Sequence, residues 1–259
     1  MVTIHDLATL KSEGRRFPML TAYDFPTAKI LDEAGIPVLL VGDSVGNNVL
    51  GYPNTLPVTM EETLHHTRAV VRGATNALIV GDLPFLSYQP SIEEGVRNAG
   101  RFIKAGAHAV KVEGAQVELT ARLTELGIPV MGHVGLTPQF LHALGGYRVQ
   151  GRSEESAVRL RQQAEALEKA GIFSLVLEGV PAEVGKAITE AVSVPTIGIG
   201  AGPHCDGQVL VINDLLGLNE WTPKFVKTYA NLREEIGRAA RAFASEVEAG
   251  TFPDEDHSY

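Results

Sequence analysis

The stretch KAGAHAVKVEG (104–114) sets the reading of the chain: a helix ends at Gly106, a near-continuous apolar run follows, and the run closes on Glu113. The phrase recurs as DEAGIPVLLVGD (32–43), ELGIPVMGHVG (125–135) and KAGIFSLVLEG (169–179). Gly35, Gly106, Gly127 and Gly171 each stand where a helix C-terminus needs a residue at positive φ. Apolar runs after such caps read as buried parallel strands rather than half-exposed ones. Eight strands are predicted, near 18–24, 38–43, 78–83, 109–113, 129–134, 174–178, 195–200 and 224–229, with helical patterns between them. For the eighth, VLVIN (209–213) is the alternative, disfavoured because the connection before it is too short for a crossover helix. Thr59 with Glu62, and Ser91 with Glu94, fit capping boxes. Thr3 caps a helix over 3–13, ahead of the first strand, and Asp206 reads as the N-cap of GQVLVINDLLG. This alternation over 259 residues predicts an α/β fold, a single (β/α)8 TIM barrel with an extra N-terminal helix, spanning 1–259 as one domain.

Composition narrows the function classes. The formal net charge is −9 with no Lys/Arg run, which argues against nucleic acid or an anionic membrane as partner. One cysteine, Cys205, excludes an internal disulfide framework and suits a reducing cytoplasm. It has no basic neighbour and reads as structural. The N-terminal segment has no long apolar region, so a secretory signal is not expected, and no run approaches the ~18 apolar residues of a membrane span.

Four of the strand-like runs end in a carboxylate: Asp43, Asp82, Glu113 and Glu178. In a barrel, acids at the C-terminal strand ends meet at one mouth, where the chemistry of this fold is kept. Asp43, Asp82 and Glu113 end strands two, three and four, which are neighbours, and three carboxylates that close repel unless a cation neutralises them. Oxygen-only ligands favour Mg²⁺. The competing reading is that strand-end acids cap the next helix or pair with a base. Lys111 shares a face with Glu113, one layer deeper. It is open to three readings: a cation for a substrate carboxylate or the metal ligands, a structural ion pair, or a Schiff-base lysine. Glu178 ends strand six and is a candidate general base. His133 either hydrogen-bonds a substrate oxygen or is a satisfied core residue. Ser44 is placed to grip a carboxylate. GIGAG (198–202) lacks the Walker lysine and the Rossmann spacing, and reads as a close backbone approach. Long loops after strands two (44–58) and five (135–152) are expected to serve as lids or substrate contacts.

MLTAYD (19–24), VGDSVG (41–46), GDLPF (81–85), VKVEG (110–114), MGHVGLTPQ (131–139), GGYRVQG (145–151), LEGVP (177–181), IGIGAG (197–202) and CDGQVLV (205–211) resemble the ketopantoate hydroxymethyltransferase family, also called 3-methyl-2-oxobutanoate hydroxymethyltransferase. The resemblance spans almost the whole chain in order. It implies a (β/α)8 barrel, Mg²⁺, 5,10-methylenetetrahydrofolate as one-carbon donor, a step of pantothenate biosynthesis, and a cytosolic homo-oligomer, commonly a decamer. It also implies that Asp43, Ser44, Asp82, Lys111 and Glu113 form the metal and ketoacid site, that Glu178 is the base, and that His133 lies in the same pocket. Three other functions compete: a Mg²⁺-dependent 2-oxo acid lyase or mutase that needs no folate, a Schiff-base aldolase using Lys111, and a barrel that only binds a metabolite or metal.

Overall fold

The glycines that end the helices do so in the left-handed region: φ is +81° at Gly35, +102° at Gly106, +77° at Gly127 and +96° at Gly171. Thr3 and Thr59 close reciprocal capping boxes with Asp6 and Glu62. Ser91 accepts from the Glu94 amide at 3.1 Å without the reciprocal bond. The first predicted strand stops short of residue 24 because Asp24 caps the helix Phe25–Glu33 through the Thr27 amide.

The computed structural model describes residues 1–259. Its strands are β1 (Phe17–Thr21), β2 (Val38–Val41), β3 (Leu78–Asp82), β4 (Ala109–Lys111), β5 (Val130–Gly135), β6 (Ser174–Glu178), β7 (Thr196–Ile199) and β8 (Gly207–Leu210). They pair in parallel, in sequence order, and close when β8 meets β1. The extra helix is Ile4–Ser12, and its Leu7 is fully buried in the barrel core.

One strand was misplaced by the sequence reading. The eighth is Gly207–Leu210, overlapping VLVIN, and residues 224–229 form no strand. No crossover helix is needed there. The seven residues 200–206 reach about 23 Å when extended, well beyond the ~13 Å rise of a four-residue strand. Asp206 is accordingly no helix cap. Its Oδ2 accepts from the Thr196 amide at 2.8 Å, the Thr196 hydroxyl at 3.0 Å and Lys11 Nζ at 2.9 Å, tying β7 to the N-terminal helix. Cys205 beside it is buried, and burial pushes its thiol up.

The chain divides into two compact units, Met1–Val211 and Ile212–Tyr259, and all eight strands lie in the first. The second carries the helix Leu232–Glu248, none of whose residues is buried, preceded by exposed Trp221, Phe225 and Tyr229.

Period-two alternation builds the site. Val80, Ala109, Met131 and Val176 all belong to the apolar core inside the barrel. Two residues further along each strand, on the same face, stand Asp82, Lys111, His133 and Glu178. A polar layer therefore caps an apolar one at the C-terminal mouth.

Asp32 holds the entry to β3. Its carboxylate accepts from the amides of Thr75 (3.1 Å), Asn76 (3.0 Å) and Ala77 (2.7 Å), and from Asn76 Nδ2 (2.9 Å). Burial pushes this carboxyl up, but those donors outweigh it and the net shift is downward. The unfolded chain then binds more protons than the folded one between the two values. The contribution is full above the ordinary carboxylate range and is lost as pH falls through the depressed folded value. Asp32→Ala is expected to cost about 3 kcal/mol at neutral pH in urea unfolding, and the gap to the parent should shrink in acid. A pH-independent gap would count against this account.

Candidate active site

The structure brings the predicted acids together. Asp43, Asp82 and Glu113 are buried, and one carboxylate oxygen of each lies within 4.8 Å of the others. Asp82 closes β3, whereas Asp43 and Glu113 sit two residues beyond the ends of β2 and β4, where the chain has begun to turn. The Asp43 amide donates to Asp82 Oδ2 at 3.2 Å.

Lys111 is the cation of this group. Its Nζ lies 2.7 and 2.8 Å from the two Asp82 oxygens and 3.4 Å from Glu113 Oε1. Burial disfavours its charge, but Asp82, Glu113 and Asp43 outweigh burial and push its pKa up. Lys111 is thus a firmly protonated ion-pair partner, which opposes a Schiff-base role. Burial and the charges of Asp82 and Glu113 push Asp43 well above the usual carboxylate range. Asp82 is also raised, chiefly by burial, against the pull of Lys111. Glu113 goes the other way: burial is overcome by Lys111, His133 and the Gln139 amide, and its carboxyl falls to about 2.

His133 stands between two acids. Nδ1 is 3.5 Å from Glu113 Oε1 and Nε2 is 3.3 Å from Glu178 Oε2. Both are ion-pair separations, and neither ring nitrogen makes a hydrogen bond. Burial and Lys111 work against its charge, yet the two carboxylates raise its pKa to about 9. Glu178 is the most open of the acids, its side chain 18% exposed. Gly135, at φ +103°, makes room for it, since a Cβ there would fall onto the Glu178 carbonyl oxygen. Glu178 is not isolated across the barrel: the imidazole of His133 links it to Glu113. Ser44 follows Asp43, and its Oγ lies 2.8 Å from Tyr23 Oη.

Asp43, Asp82 and Glu113 converge with Lys111 as the one cation hydrogen-bonded to them, so ionising all three calls for further positive charge. The upward shifts of Asp43 and Asp82 express the same deficit. An all-oxygen donor set suits a hard ion. These residues therefore fit a metal.

Three contributors escaped the sequence reading. Gln139, in the loop after β5, donates through Nε2 to Asp43 Oδ2 at 3.0 Å and through its amide to Glu113 Oε2 at 3.0 Å. Tyr88, after β3, accepts from the Glu113 amide at 3.1 Å and donates to Gln139 Oε1 at 2.7 Å. Tyr147, in the 135–152 loop, is 57% exposed, and desolvation with the charges of Asp43, Glu178 and Glu113 pushes its phenol up. The 44–58 loop is anchored, with Tyr52 Oη donating to Glu62 Oε1 at 2.6 Å.

The family model described as ketopantoate hydroxymethyltransferase matches residues 1–255. The chain belongs to this family. Curated relatives named 3-methyl-2-oxobutanoate hydroxymethyltransferase include that of Syntrophus aciditrophicus, 56% identical with 100% of this chain and 96% of the relative covered. That of Thermotoga maritima is 59% identical, with 96% and 94% covered. The chain is accordingly an enzyme, a hydroxymethyltransferase of the ketopantoate hydroxymethyltransferase family. Among solved structures, phosphonopyruvate hydrolase complexed with oxalate and Mg²⁺ superposes with a TM-score of 0.64 at 16% identity, covering 99% of this chain and 93% of that one. A 2,3-dimethylmalate lyase of the PEP mutase/isocitrate lyase superfamily gives 0.62 at 15%, covering 100% and 93%. At such identities the likeness speaks for the barrel alone. No helix is long and apolar enough to cross a membrane.

Proposed function

We propose that this enzyme transfers a hydroxymethyl group from 5,10-methylenetetrahydrofolate to 3-methyl-2-oxobutanoate, giving ketopantoate and tetrahydrofolate in pantothenate biosynthesis. The observation that carries the reading is the buried group of Asp43, Asp82 and Glu113 with Glu178 linked to it through His133. Asp43, Asp82 and Glu113 are the residues that would hold Mg²⁺. The ion would supply Lewis acidity at the 2-oxo group, which acidifies the C3–H bond.

The chain's own groups do the rest. Lys111, held protonated, keeps Asp82 and Glu113 in register and supplies positive charge at the mouth. Ser44 and His133 hold the carboxylate end of the ketoacid. Glu178 takes the C3 proton, and the electron pair left on C3 forms the new bond to the methylene carbon of the donor. Both C–N bonds of the donor's methylene bridge break: the water oxygen becomes the hydroxyl, and the proton taken from C3 and one proton of the water end on the two folate nitrogens, releasing tetrahydrofolate. The loops 44–58 and 135–152 supply contacts at the mouth. The same reading places the enzyme in the cytoplasm as a homo-oligomer, with a decamer expected from its family. Exposed Trp221, Tyr229, Ile236 and Phe243 support association by offering apolar surface.

The test is ketopantoate formation from 3-methyl-2-oxobutanoate, with and without the folate donor and with and without a chelator. Activity is expected only with the donor and free divalent metal. Turnover of the ketoacid without folate would favour a lyase or mutase, and turnover indifferent to chelator would remove the metal from the reading.

A further inference from the structure

We propose that Gln139 is the positioning residue of the acid cluster, aiming the carboxylates of Asp43 and Glu113 at a common cation. The inference rests on the metal reading given above. Gln139 is buried in the turn Pro138–Phe140, and every polar position of its side-chain amide is used. Nε2 donates to Asp43 Oδ2 at 3.0 Å and to the Leu83 carbonyl at 2.9 Å. Oε1 accepts from Tyr88 Oη at 2.7 Å and from Gln89 Nε2 at 3.0 Å. The Leu83 carbonyl can only accept, so the amide has one orientation. Its backbone N–H donates to Glu113 Oε2 at 3.0 Å.

One residue from the loop after β5 thus grips acids that follow β2 and β4, and is itself held by two residues that follow β3. Division of labour follows from charge. Lys111 orients Asp82 and reaches Glu113. Asp43 receives a neutral donor instead. A second lysine there would orient the carboxylate equally well but would cancel charge the cation needs. An amide fixes direction and leaves the charge in place.

Gln139→Met keeps the length and the backbone N–H but removes both Nε2 donors. Mn²⁺ binding, read from the electron paramagnetic resonance of free Mn²⁺ without ketoacid, is expected to weaken about 10- to 100-fold. Tyr88→Phe removes a hydroxyl that orients Gln139 and also accepts from the Glu113 amide, and is expected to weaken Mn²⁺ binding in the same direction, but less. If Gln139→Met does not fold, Gln89→Met, which removes the Nε2 donor to Gln139 Oε1 and leaves the bond between the Glu113 amide and Tyr88 in place, decides in its stead. Lowered melting temperatures with Mn²⁺ affinity unchanged within about twofold would mean a purely structural glutamine and overturn the inference. The parent and Asp82→Asn separate the two levels. If the parent binds no Mn²⁺ that Asp82→Asn abolishes, the metal reading falls and this inference with it. If the parent binds Mn²⁺ and neither Gln139→Met nor Tyr88→Phe weakens it, only the inference falls.

Discussion

Glu178→Gln is expected to slow exchange of the C3 proton of 3-methyl-2-oxobutanoate with solvent by about 100- to 10,000-fold, the range a positioned general base contributes. Ketoacid affinity should stay close to that of the parent. Glutamine keeps the length and the contact toward His133 Nε2, so the pocket retains its shape. What it loses is the capacity to accept a proton. Among the four acids, Glu178 is the one suited to this role by environment. Asp82 is occupied by Lys111, Asp43 by Gln139, and Glu113 by the Gln139 amide and Lys111, whereas Glu178 alone keeps part of its side chain open to the mouth. Exchange is the right readout because it needs neither folate nor the later carbon–carbon bond. A variant that exchanges the C3 proton at the parental rate but fails to form ketopantoate would move Glu178 out of the first step.

The barrel and most of this site were legible in the sequence for one reason: period-two alternation puts residues i and i+2 of a strand on one face. Once Ala109 is read as core, Lys111 must point the same way, and the same holds for Met131 with His133 and Val176 with Glu178. Charges after apolar runs then announce the mouth. β8 was legible only as the alternative VLVIN, set aside because the connection before it is too short for the crossover helix expected between parallel strands; the strand is four residues long and leads directly into the short helix Ile212–Leu215. Segment 224–229 has the composition of a strand, but β1 already pairs with Gly207–Leu210. Gln139 and Tyr88 were missed because a neutral amide and a phenol leave no charge signature. Their role exists only once the loops after β5 and β3 meet. The GLTPQ loop was marked by its length, and that was the available signal.

Lys111→Met is expected to destabilise the metal-free enzyme by about 3–5 kcal/mol, the cost of removing one partner of a buried ion pair. Lys111 stands against Asp82 with both oxygens engaged and lies near Glu113, with all three side chains almost fully buried. Methionine fills the space but supplies no charge, so two carboxylates are left facing each other and Asp43 in low dielectric. Two consequences separate this account from simple loss of packing. First, Asp43 and Asp82 are already raised, chiefly by burial, and removing Lys111 raises Asp82 further. A carboxyl whose folded value lies above its unfolded one makes the folded state bind more protons in that window, so stability rises as pH falls through it. The deficit of Lys111→Met should therefore shrink on acidification, here because the variant gains stability, whereas at Asp32 the parent loses it. Second, a divalent cation replaces part of the missing charge. Binding to the folded state alone stabilises by about 2.7 kcal/mol at a hundred times the dissociation constant. At a common Mg²⁺ concentration the variant should gain more than the parent from added metal. Urea unfolding with a chelator and with excess Mg²⁺, at neutral and mildly acidic pH, reads both. A variant within about 1 kcal/mol of the parent in chelator, or equally destabilised at every pH and metal concentration, would show that Lys111 does not neutralise these acids.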